Sequence, residues 1–240
     1  MIGGQDNRTK VSNTTIYPYT TIYPYRTICR LDITFPNGVT GKGTGVLVYK
    51  NLVLTAAHCV YQLNHGGGAT SITVTPGAYV DNNGNEFEPF GSASDVWGIN
   101  LDQEFVQSMH IDHDWALLHL DTDIGNNSGW MGMAYSDDYS FFVNDGLSVT
   151  VTGYPREPGV DNNKIWGCQY THRGRVRKAF PLHLAYETDT SASQSGSPVY
   201  ENTDYVIGVH TNTLQWADGT YNWCDNITRD RFNLIVSYMN

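Results

Sequence analysis

Short apolar or β-branched segments, each closed by turn residues, recur along most of this chain. Such segments are typical of β-strands, and they occupy 27–33, 45–48, 52–54, 72–74, 116–118, 147–151 and 206–209. Turn-forming residues separate them at 36–38, 82–85, 125–127 and 218–219. The 24 glycines and 16 tyrosines also favour many short strands over long helices. The pattern predicts an all-β protein.

Only the C-terminal segment has the periodicity of a helix. Thr228 is suited to cap its first turn. Its apolar face carries Phe232, Ile235, Val236 and Met239. We therefore predict that the chain ends in an α-helix.

Charge and hydropathy exclude several kinds of partner. The formal net charge is −10, which repels nucleic acid and anionic membranes at long range. No apolar run approaches the roughly 18 to 20 residues that cross a bilayer, and Met1 to Gly4 lack the basic start and apolar core of a signal peptide. We expect a soluble, secreted monomer, derived from a zymogen, whose signal and pro-segment are absent from this chain.

Three short motifs carry the groups that make a serine hydroxyl nucleophilic. The segments 55–59, 114–118 and 193–198 contain His58, Asp114 and Ser195. A serine hydroxyl is a poor nucleophile at neutral pH, so it needs a histidine to accept its proton and a carboxylate to orient that histidine. The chain therefore carries a candidate catalytic triad in the order histidine, aspartate, serine.

This ordered set of motifs resembles the chymotrypsin-like serine peptidases, and among them the bacterial glutamyl endopeptidases of the V8 type. The resemblance also takes in 6–11, the turn 153–155, the strand 206–210 and the closing helix, so it spans nearly the whole chain. It implies an all-β fold of two six-stranded antiparallel β-barrels with a C-terminal α-helix. Residues 1–124 would form an N-terminal arm and the first barrel, and residues 125–240 the second barrel with the specificity pocket.

The resemblance implies that the backbone N–H groups of Ser193 and Ser195 form the oxyanion hole. The family usually has glycine at the position of Ser193, and a side chain there raises the cost of the required backbone conformation. Gln194 stands where pancreatic enzymes have an aspartate that pairs with a new terminal amine, a pair that a neutral amide cannot make. The terminus at Met1 is therefore expected to act differently, by helping to bind the substrate's acidic side chain.

Two sets of residues compete to determine the preferred substrate. Thr190 and His210 match the positions that bind the glutamate carboxylate in glutamyl endopeptidases, and a hydroxyl and a protonated histidine both donate hydrogen bonds to a carboxylate. Asp189 occupies the position at which trypsins select arginine or lysine. The same carboxylate could instead pair with His210 and hold it charged. We expect cleavage after glutamate, then aspartate, with a preference for arginine or lysine through Asp189 as the alternative.

Four cysteines leave three disulfide pairings open. None forms a C-x-x-C site, so two structural disulfides in an oxidising compartment are expected. Keeping each bridge within one half of the chain pairs Cys29 with Cys59 and Cys168 with Cys224.

Metals and cofactors are not expected. The segment 110–114 holds four candidate zinc ligands, but ligands that lie this close beside a predicted strand cannot converge tetrahedrally. No EF-hand-like spacing supports a calcium site.

The sequence therefore predicts a secreted serine endopeptidase that acts on protein or peptide substrates through an acyl-enzyme. A toxin-like or low-activity binding relative on the same scaffold is the second hypothesis. Ser193 supports it, because a fold alone does not ensure activity.

Overall fold

The computed structural model describes residues 2, 5–11, 19–81, 83–156 and 167–239. Within these ranges the strands are β1 Thr9–Lys10, β2 Ile28–Thr34, β3 Thr40–Tyr49, β4 Leu52–Thr55, β5 Tyr61–Gln62, β6 Gly67–Gly68, β7 Ser71–Pro76, β8 Tyr79–Val80, β9 Glu86–Phe87, β10 Val96–Leu101, β11 Ala116–Leu120, β12 Ser148–Gly153, β13 Tyr170–Ala179, β14 His183–Tyr186, β15 Pro198–Glu201, β16 Val206–Trp216 and β17 Gly219–Asn226.

The helices are short. They are α1 Ala57–Val60, α2 Gln103–Ser108, α3 Gly125–Ser128, α4 Ser140–Val143 and α5 Arg229–Ser237, with 3₁₀ turns at Tyr19–Thr21, Tyr25–Thr27, Leu63–His65 and Ile111–His113. Among the described helices, none combines the length and apolar character that a bilayer crossing requires.

Two antiparallel sheets confirm the predicted chymotrypsin-like, all-β architecture. The first has the strand order β10-β11-β4-β3-β2-β7, and the second has the order β13-β12-β15-β16-β17-β14. In the second sheet β14 also pairs with β13, which closes six strands into a barrel. In the described residues β7 and β10 remain the edge strands of the first sheet, so only the second barrel closes through its own hydrogen bonds.

The N-terminal arm is attached to the second barrel. Strand β1 pairs with β13 in the register Thr9 to Thr171 and Lys10 to Tyr170, and the Val11 N–H donates to the Gln169 carbonyl at 2.8 Å. The arm therefore reaches past the first sheet, although the predicted boundary at residue 124 assigns it to the first half. That boundary stays a prediction.

The C-terminal helix forms where its cap residue predicts. The Thr228 hydroxyl accepts a hydrogen bond from the Arg231 N–H at 3.2 Å, and Ile235 is buried while Phe232 and Met239 pack against the first core. Val236, however, is 42% exposed, so its predicted place on the buried face is wrong. Arg231 and Ile235, four residues apart, define the inward face, and Val236 follows one position round the helix.

The predicted disulfides are absent, and this prediction is wrong. All four cysteines lie within the described ranges, and each is a buried free thiol. The Cys29 thiol lies 3.5 Å from the Thr27 carbonyl, whereas the Cys59 thiol lies 3.5 Å from the Ser195 carbonyl. Each thiol has a backbone oxygen of its own as its neighbour.

The second expected pair is separated in the same way. The Cys168 thiol lies 3.6 Å from the Val80 carbonyl, while Cys224 lies in the core of the second barrel. Burial raises the pKa of the Cys29 and Cys224 thiols well above the ordinary value. These cysteines therefore behave as small apolar core residues.

Candidate active site

Adjacent strands of the first sheet bring His58 and Asp114 together. Strand β4 ends directly before α1, which carries His58, and Asp114 comes two residues before β11, whose Ala116 pairs with Thr55 of β4. The His58 Nδ1 lies 2.6 Å from Oδ2 of Asp114, and the His58 backbone N–H donates to Oδ1 at 2.8 Å. Both carboxylate oxygens of a buried aspartate are thus engaged by one histidine.

The surroundings of His58 favour its protonated form. Burial lowers the pKa of the imidazole, but the neighbouring Cys59 thiol and the Asp114 carboxylate outweigh burial and hold that pKa well above 6.5. An imidazole with a raised pKa binds a proton more strongly. It can therefore take a proton from a nearby hydroxyl and keep it long enough to pass it on.

The Ser195 loop packs against the strands that lead to His58. The Thr44 N–H of β3 donates to the Ser195 carbonyl at 2.9 Å. Gly196 follows with φ 85°, and a Cβ there would lie 1.9 Å from the Thr44 carbonyl oxygen and 3.1 Å from the Ala56 nitrogen. Only glycine fits this approach, and it places Ser195 beside the segment that carries His58.

Ser193 adopts the strained backbone conformation that the sequence predicts. Its φ is 71°, in the left-handed region that side chains disfavour. The Ser193 carbonyl accepts a hydrogen bond from the Thr44 hydroxyl at 3.0 Å, and the Ala192 carbonyl accepts one from the Arg156 N–H at 2.8 Å. Because a trans peptide directs its C=O and N–H to opposite sides, the Ser193 N–H points away from Arg156.

A small polar pocket opens beside Ser195. Its volume is about 250 Å³, and it is lined by Thr190, Ser191, Ala192, Ser195, His210, Thr211, Asn212 and Thr213. The structure thus places Ser195, Thr190 and His210 around one cavity. Among the described residues, no carboxylate, ammonium or guanidinium group lines it.

The surroundings of His210 favour its neutral form, against the expectation of a charged histidine. Its ring is buried, and its Nδ1 lies 2.9 Å from the Tyr186 hydroxyl. Burial, joined by the nearby charge of His58, lowers the pKa of His210 to about 3. A neutral imidazole still has one N–H to donate. Any carboxylate in this pocket would therefore meet neutral donors.

Asp189 does not pair with His210, and that interpretation is wrong. The buried carboxylate faces the N-terminal arm, where it accepts hydrogen bonds from the Ile2 N–H at 2.6 Å, the Asn7 N–H at 2.9 Å and the Asn7 Nδ2 at 3.1 Å. His172 Nδ1 lies 3.7 Å from it. Asp189 is absent from the pocket lining among the described residues, so its position favours no basic substrate. Met1, the other expected contributor, lies outside the described residues.

The histidines and aspartates of segment 110–114 have other partners. His113 Nδ1 lies 2.8 Å from Asp102, and the His110 side chain accepts a hydrogen bond from the Asp112 N–H at 3.3 Å. Among the described residues, no group of three or more such side chains converges on a metal position.

Comparison with known proteins agrees with this geometry. The protein-family model described as Trypsin matches residues 29–228. The chain belongs to the trypsin family. It is a serine endopeptidase, as the family and its glutamyl endopeptidase relatives indicate.

Two bacterial relatives of this trypsin-family chain align over almost its whole length. It is 35% identical to a Bacillus subtilis protein named extracellular metalloprotease, over 99% of this chain and 69% of that protein. It is 31% identical to the glutamyl endopeptidase of Bacillus licheniformis, over 99% of this chain and 68% of that protein.

Solved structures extend the comparison. A Glu endopeptidase in complex with MPD superposes with a TM-score of 0.80 and 26% identity, over 100% of this chain and 99% of that one. Human heparin binding protein shares the fold alone, with a TM-score of 0.66 and 15% identity over 98% and 97% of the two chains. The fold by itself therefore does not establish an activity.

A buried ion pair behind Asp114 escaped the sequence analysis. The Arg231 Nη2 of α5 lies 2.9 Å from Oδ1 of Asp225, whose side chain is fully buried. Burial raises the pKa of Asp225, the Arg231 charge opposes that rise, and the Asp114 charge adds to it. The C-terminal helix of this trypsin-family chain thus supplies a cation close to the candidate triad. No sequence motif marks the pair, because its two members come from different elements.

Proposed function

We propose that this trypsin-family enzyme is a glutamyl endopeptidase with the triad His58, Asp114 and Ser195. The observation that carries the triad is the hydrogen bonding of both Asp114 oxygens to His58, beside a serine that lines a small polar pocket. The relatives named glutamyl endopeptidase support the assignment of substrate class.

In this mechanism the Ser195 oxygen attacks the peptide carbonyl while His58 accepts the hydroxyl proton. His58 then donates that proton to the leaving amine, and an acyl-enzyme on Ser195 remains. Water, deprotonated by the same imidazole, attacks the ester and releases the acid product with the serine hydroxyl restored. Asp114 keeps Nδ1 of the imidazole protonated and stabilises its cation in both steps.

The oxyanion of each tetrahedral intermediate is assigned to the N–H groups of Ser193 and Ser195. The hydrogen bond from the Arg156 N–H to the Ala192 carbonyl supports this assignment, because it fixes the orientation of the peptide that carries the Ser193 N–H. Donors that are already oriented need no reorganisation when charge develops. The positive φ of Ser193 is the cost of that orientation.

The pocket lined by Thr190 and His210 is proposed to bind glutamate, and aspartate less well. The Thr190 hydroxyl and the one N–H of a neutral His210 are donors that suit a carboxylate. A shorter aspartate side chain would reach them less closely. A cationic substrate side chain would instead meet an uncharged pocket, since Asp189 is engaged by the arm.

Two alternatives remain to be separated by experiment. Preference for arginine or lysine would require Asp189 to leave its arm partners. A toxin-like relative of low activity would have a triad but restricted access to the oxyanion hole, and Ser193 is the residue that favours it. Secretion is also proposed, supported by the extracellular relative from Bacillus subtilis.

Labelling by a serine-directed fluorophosphonate tests the triad. We expect the native enzyme to gain one adduct, with Ser195→Ala gaining none. His58→Ala and Asp114→Asn should label far more slowly, because the serine then lacks a correctly oriented base. Equal labelling of Ser195→Ala would rule out this nucleophile.

A further inference from the structure

The N-terminal arm contacts the loop 189–194 at both ends. Asp189, at the start of the loop, accepts hydrogen bonds from Ile2 and Asn7. At the other end, the Arg8 Nη1 donates to the Ser191 hydroxyl at 2.6 Å and to Oε1 of Gln194 at 3.1 Å. Between these contacts lie Thr190, which lines the pocket, and Ser193, which is proposed for the oxyanion hole.

Arg8 is built into the protein as a buried cation. Its side chain is 2% exposed. The guanidinium forms two hydrogen bonds with Asp6, Nε to Oδ1 at 2.9 Å and Nη2 to Oδ2 at 2.6 Å, and it lies 5.7 Å from the centre of the Tyr170 ring. A forked donor of this kind can hold several acceptors at fixed positions, which a single ammonium cannot do.

Gln194 connects this cation to the loop backbone. Its buried Oε1 accepts from Arg8 and also from the Ser191 N–H at 3.0 Å. The same residue supplies the peptide between Ser193 and Ser195. A movement of its side chain would therefore shift both proposed oxyanion donors.

We propose that Arg8 is a positioning residue that holds the 189–194 loop in its active conformation. Its guanidinium does for Gln194 what a terminal ammonium does for an aspartate in the pancreatic enzymes. The cation that contacts Gln194 is an internal side chain, so this contact depends on docking of the arm. This inference rests on the proposed function, in which the loop carries the pocket and the oxyanion hole.

The balance of charge explains why a neutral Gln194 suits this arrangement. Asp6 already neutralises Arg8 through two hydrogen bonds, so a second carboxylate at position 194 would add a buried charge without a partner. A neutral amide oxygen accepts a hydrogen bond from the guanidinium Nη1 without that cost. Asp6, Arg8 and Gln194 thus form one neutral hydrogen-bonded unit.

Kinetics of Arg8→Gln and Arg8→Lys test the proposal, with Arg229→Gln as the matched control. Arg229 is an exposed arginine on α5 that pairs with Asp137 and has no described contact with the 189–194 loop. We expect Arg8→Gln to lower kcat/KM for a glutamate peptide about 100-fold, the size of effect that follows loss of an oxyanion donor. Arg8→Lys should lie between it and the native enzyme, and Arg229→Gln should match the native enzyme.

Rescue by added methylguanidinium separates positioning from general destabilisation. A small cation that fills the vacated site should restore part of the kcat of Arg8→Gln, whereas it cannot repair an unfolded protein. Arg8→Lys keeps the charge, so it remains informative if Arg8→Gln does not fold. Native kinetics in both folded variants would overturn the proposal.

Hydrogen exchange distinguishes failure of this proposal from failure of the proposed function. In a Ser195→Ala background, Arg8→Gln and Arg8→Lys should each speed exchange of the Ser191 and Gln194 amides, whether or not the native enzyme cleaves glutamate peptides. Unchanged exchange in both variants would overturn the role of Arg8 by itself. A lack of any cleavage by the native enzyme, with faster exchange in the variants, would reject only the proposed function.

Discussion

The Tyr186 hydroxyl lies 2.9 Å from Nδ1 of the buried His210, on the wall of the pocket that Ser195 shares. Burial lowers the pKa of His210 to about 3, which favours an uncharged ring near neutral pH. The proposed glutamate pocket therefore recognises a carboxylate by hydrogen bonds from neutral groups. Selectivity of this kind depends on leaving no buried donor unpaired.

KM for a glutamate peptide should be independent of pH between 6 and 8. A pocket that needed a protonated His210 would instead lose affinity about tenfold for each pH unit above the pKa of that histidine. Steady-state kinetics between pH 6 and 8 distinguishes recognition by a neutral His210 from recognition by a protonated one.

Variants of His210 extend the same test. His210→Gln, which keeps a neutral donor, should retain more activity than His210→Leu, which we expect to lower kcat/KM by roughly tenfold to a hundredfold. A KM that climbs steadily above pH 6 would show that a charged histidine is required.

The acid limb of the pH profile should follow His58. Its pKa is raised well above 6.5, and a general base must be deprotonated to act, so kcat/KM should rise with pH through a midpoint above 6.5. Cys59 contributes to the raised pKa of His58, so Cys59→Ala should move the midpoint to lower pH. Cys29→Ala, which removes another buried thiol, is the control and should leave it unchanged. Equal midpoints in all three proteins would exclude a role for the Cys59 thiol.

Stability should fall in mild acid because of two buried neutral histidines. Burial lowers the pKa of His210 to about 3 and that of His183 to about 4, while both titrate near 6.5 in the unfolded chain. Below pH 6.5 both histidines bind a proton only in the unfolded state, whereas Asp225, whose pKa burial raises to about 8, holds one only in the folded state and offsets one histidine. The free energy of unfolding therefore still decreases as pH falls towards 4. Each histidine contributes about 1.4 kcal/mol per pH unit in this window.

Urea unfolding between pH 4.5 and 7.5 measures that slope. His210→Gln should reduce it, since one titrating group is removed. The account of His210 fails if its replacement leaves the pH dependence of unfolding unaltered.

Ser193→Gly should relieve backbone strain at the proposed oxyanion hole. Ser193 and Asp204 both have positive φ, 71° and 62°, and glycine adopts such angles without a steric penalty. Each replacement by glycine should stabilise the fold by about 0.5 to 1 kcal/mol. Only Ser193→Gly should also speed fluorophosphonate labelling, because Asp204 lies in the turn between β15 and β16. Faster labelling in Asp204→Gly as well would point to a general effect.

The strands predicted from sequence were those with continuous β-branched or apolar residues. Strand β13 escaped prediction because its sequence, Tyr170 to Ala179, is largely polar and basic, with Val176 as its one fully buried apolar side chain. Its place in the barrel comes from pairing with three other strands. Such pairing is a tertiary effect that local pattern does not report.

The candidate active site shows the same contrast between features marked by a local motif and contacts that only the fold creates. His58, Asp114 and Ser195 were found because each lies in a short recognisable motif. The partners of Asp189 were predicted wrongly, because they come from an arm more than 180 residues away in sequence. Arg8 was visible in the sequence only as part of the N-terminal stretch that resembles the family. Its contact with Gln194 could be known only from the fold.

A peptide library varied at the residue before the cut, with Ser195→Ala as control and mass spectrometry to locate the cleavage sites, tests the central claim most directly. The account predicts cuts after glutamate, fewer after aspartate, and none with Ser195→Ala. Cuts after arginine or lysine, or cleavage that survives in Ser195→Ala, would contradict it.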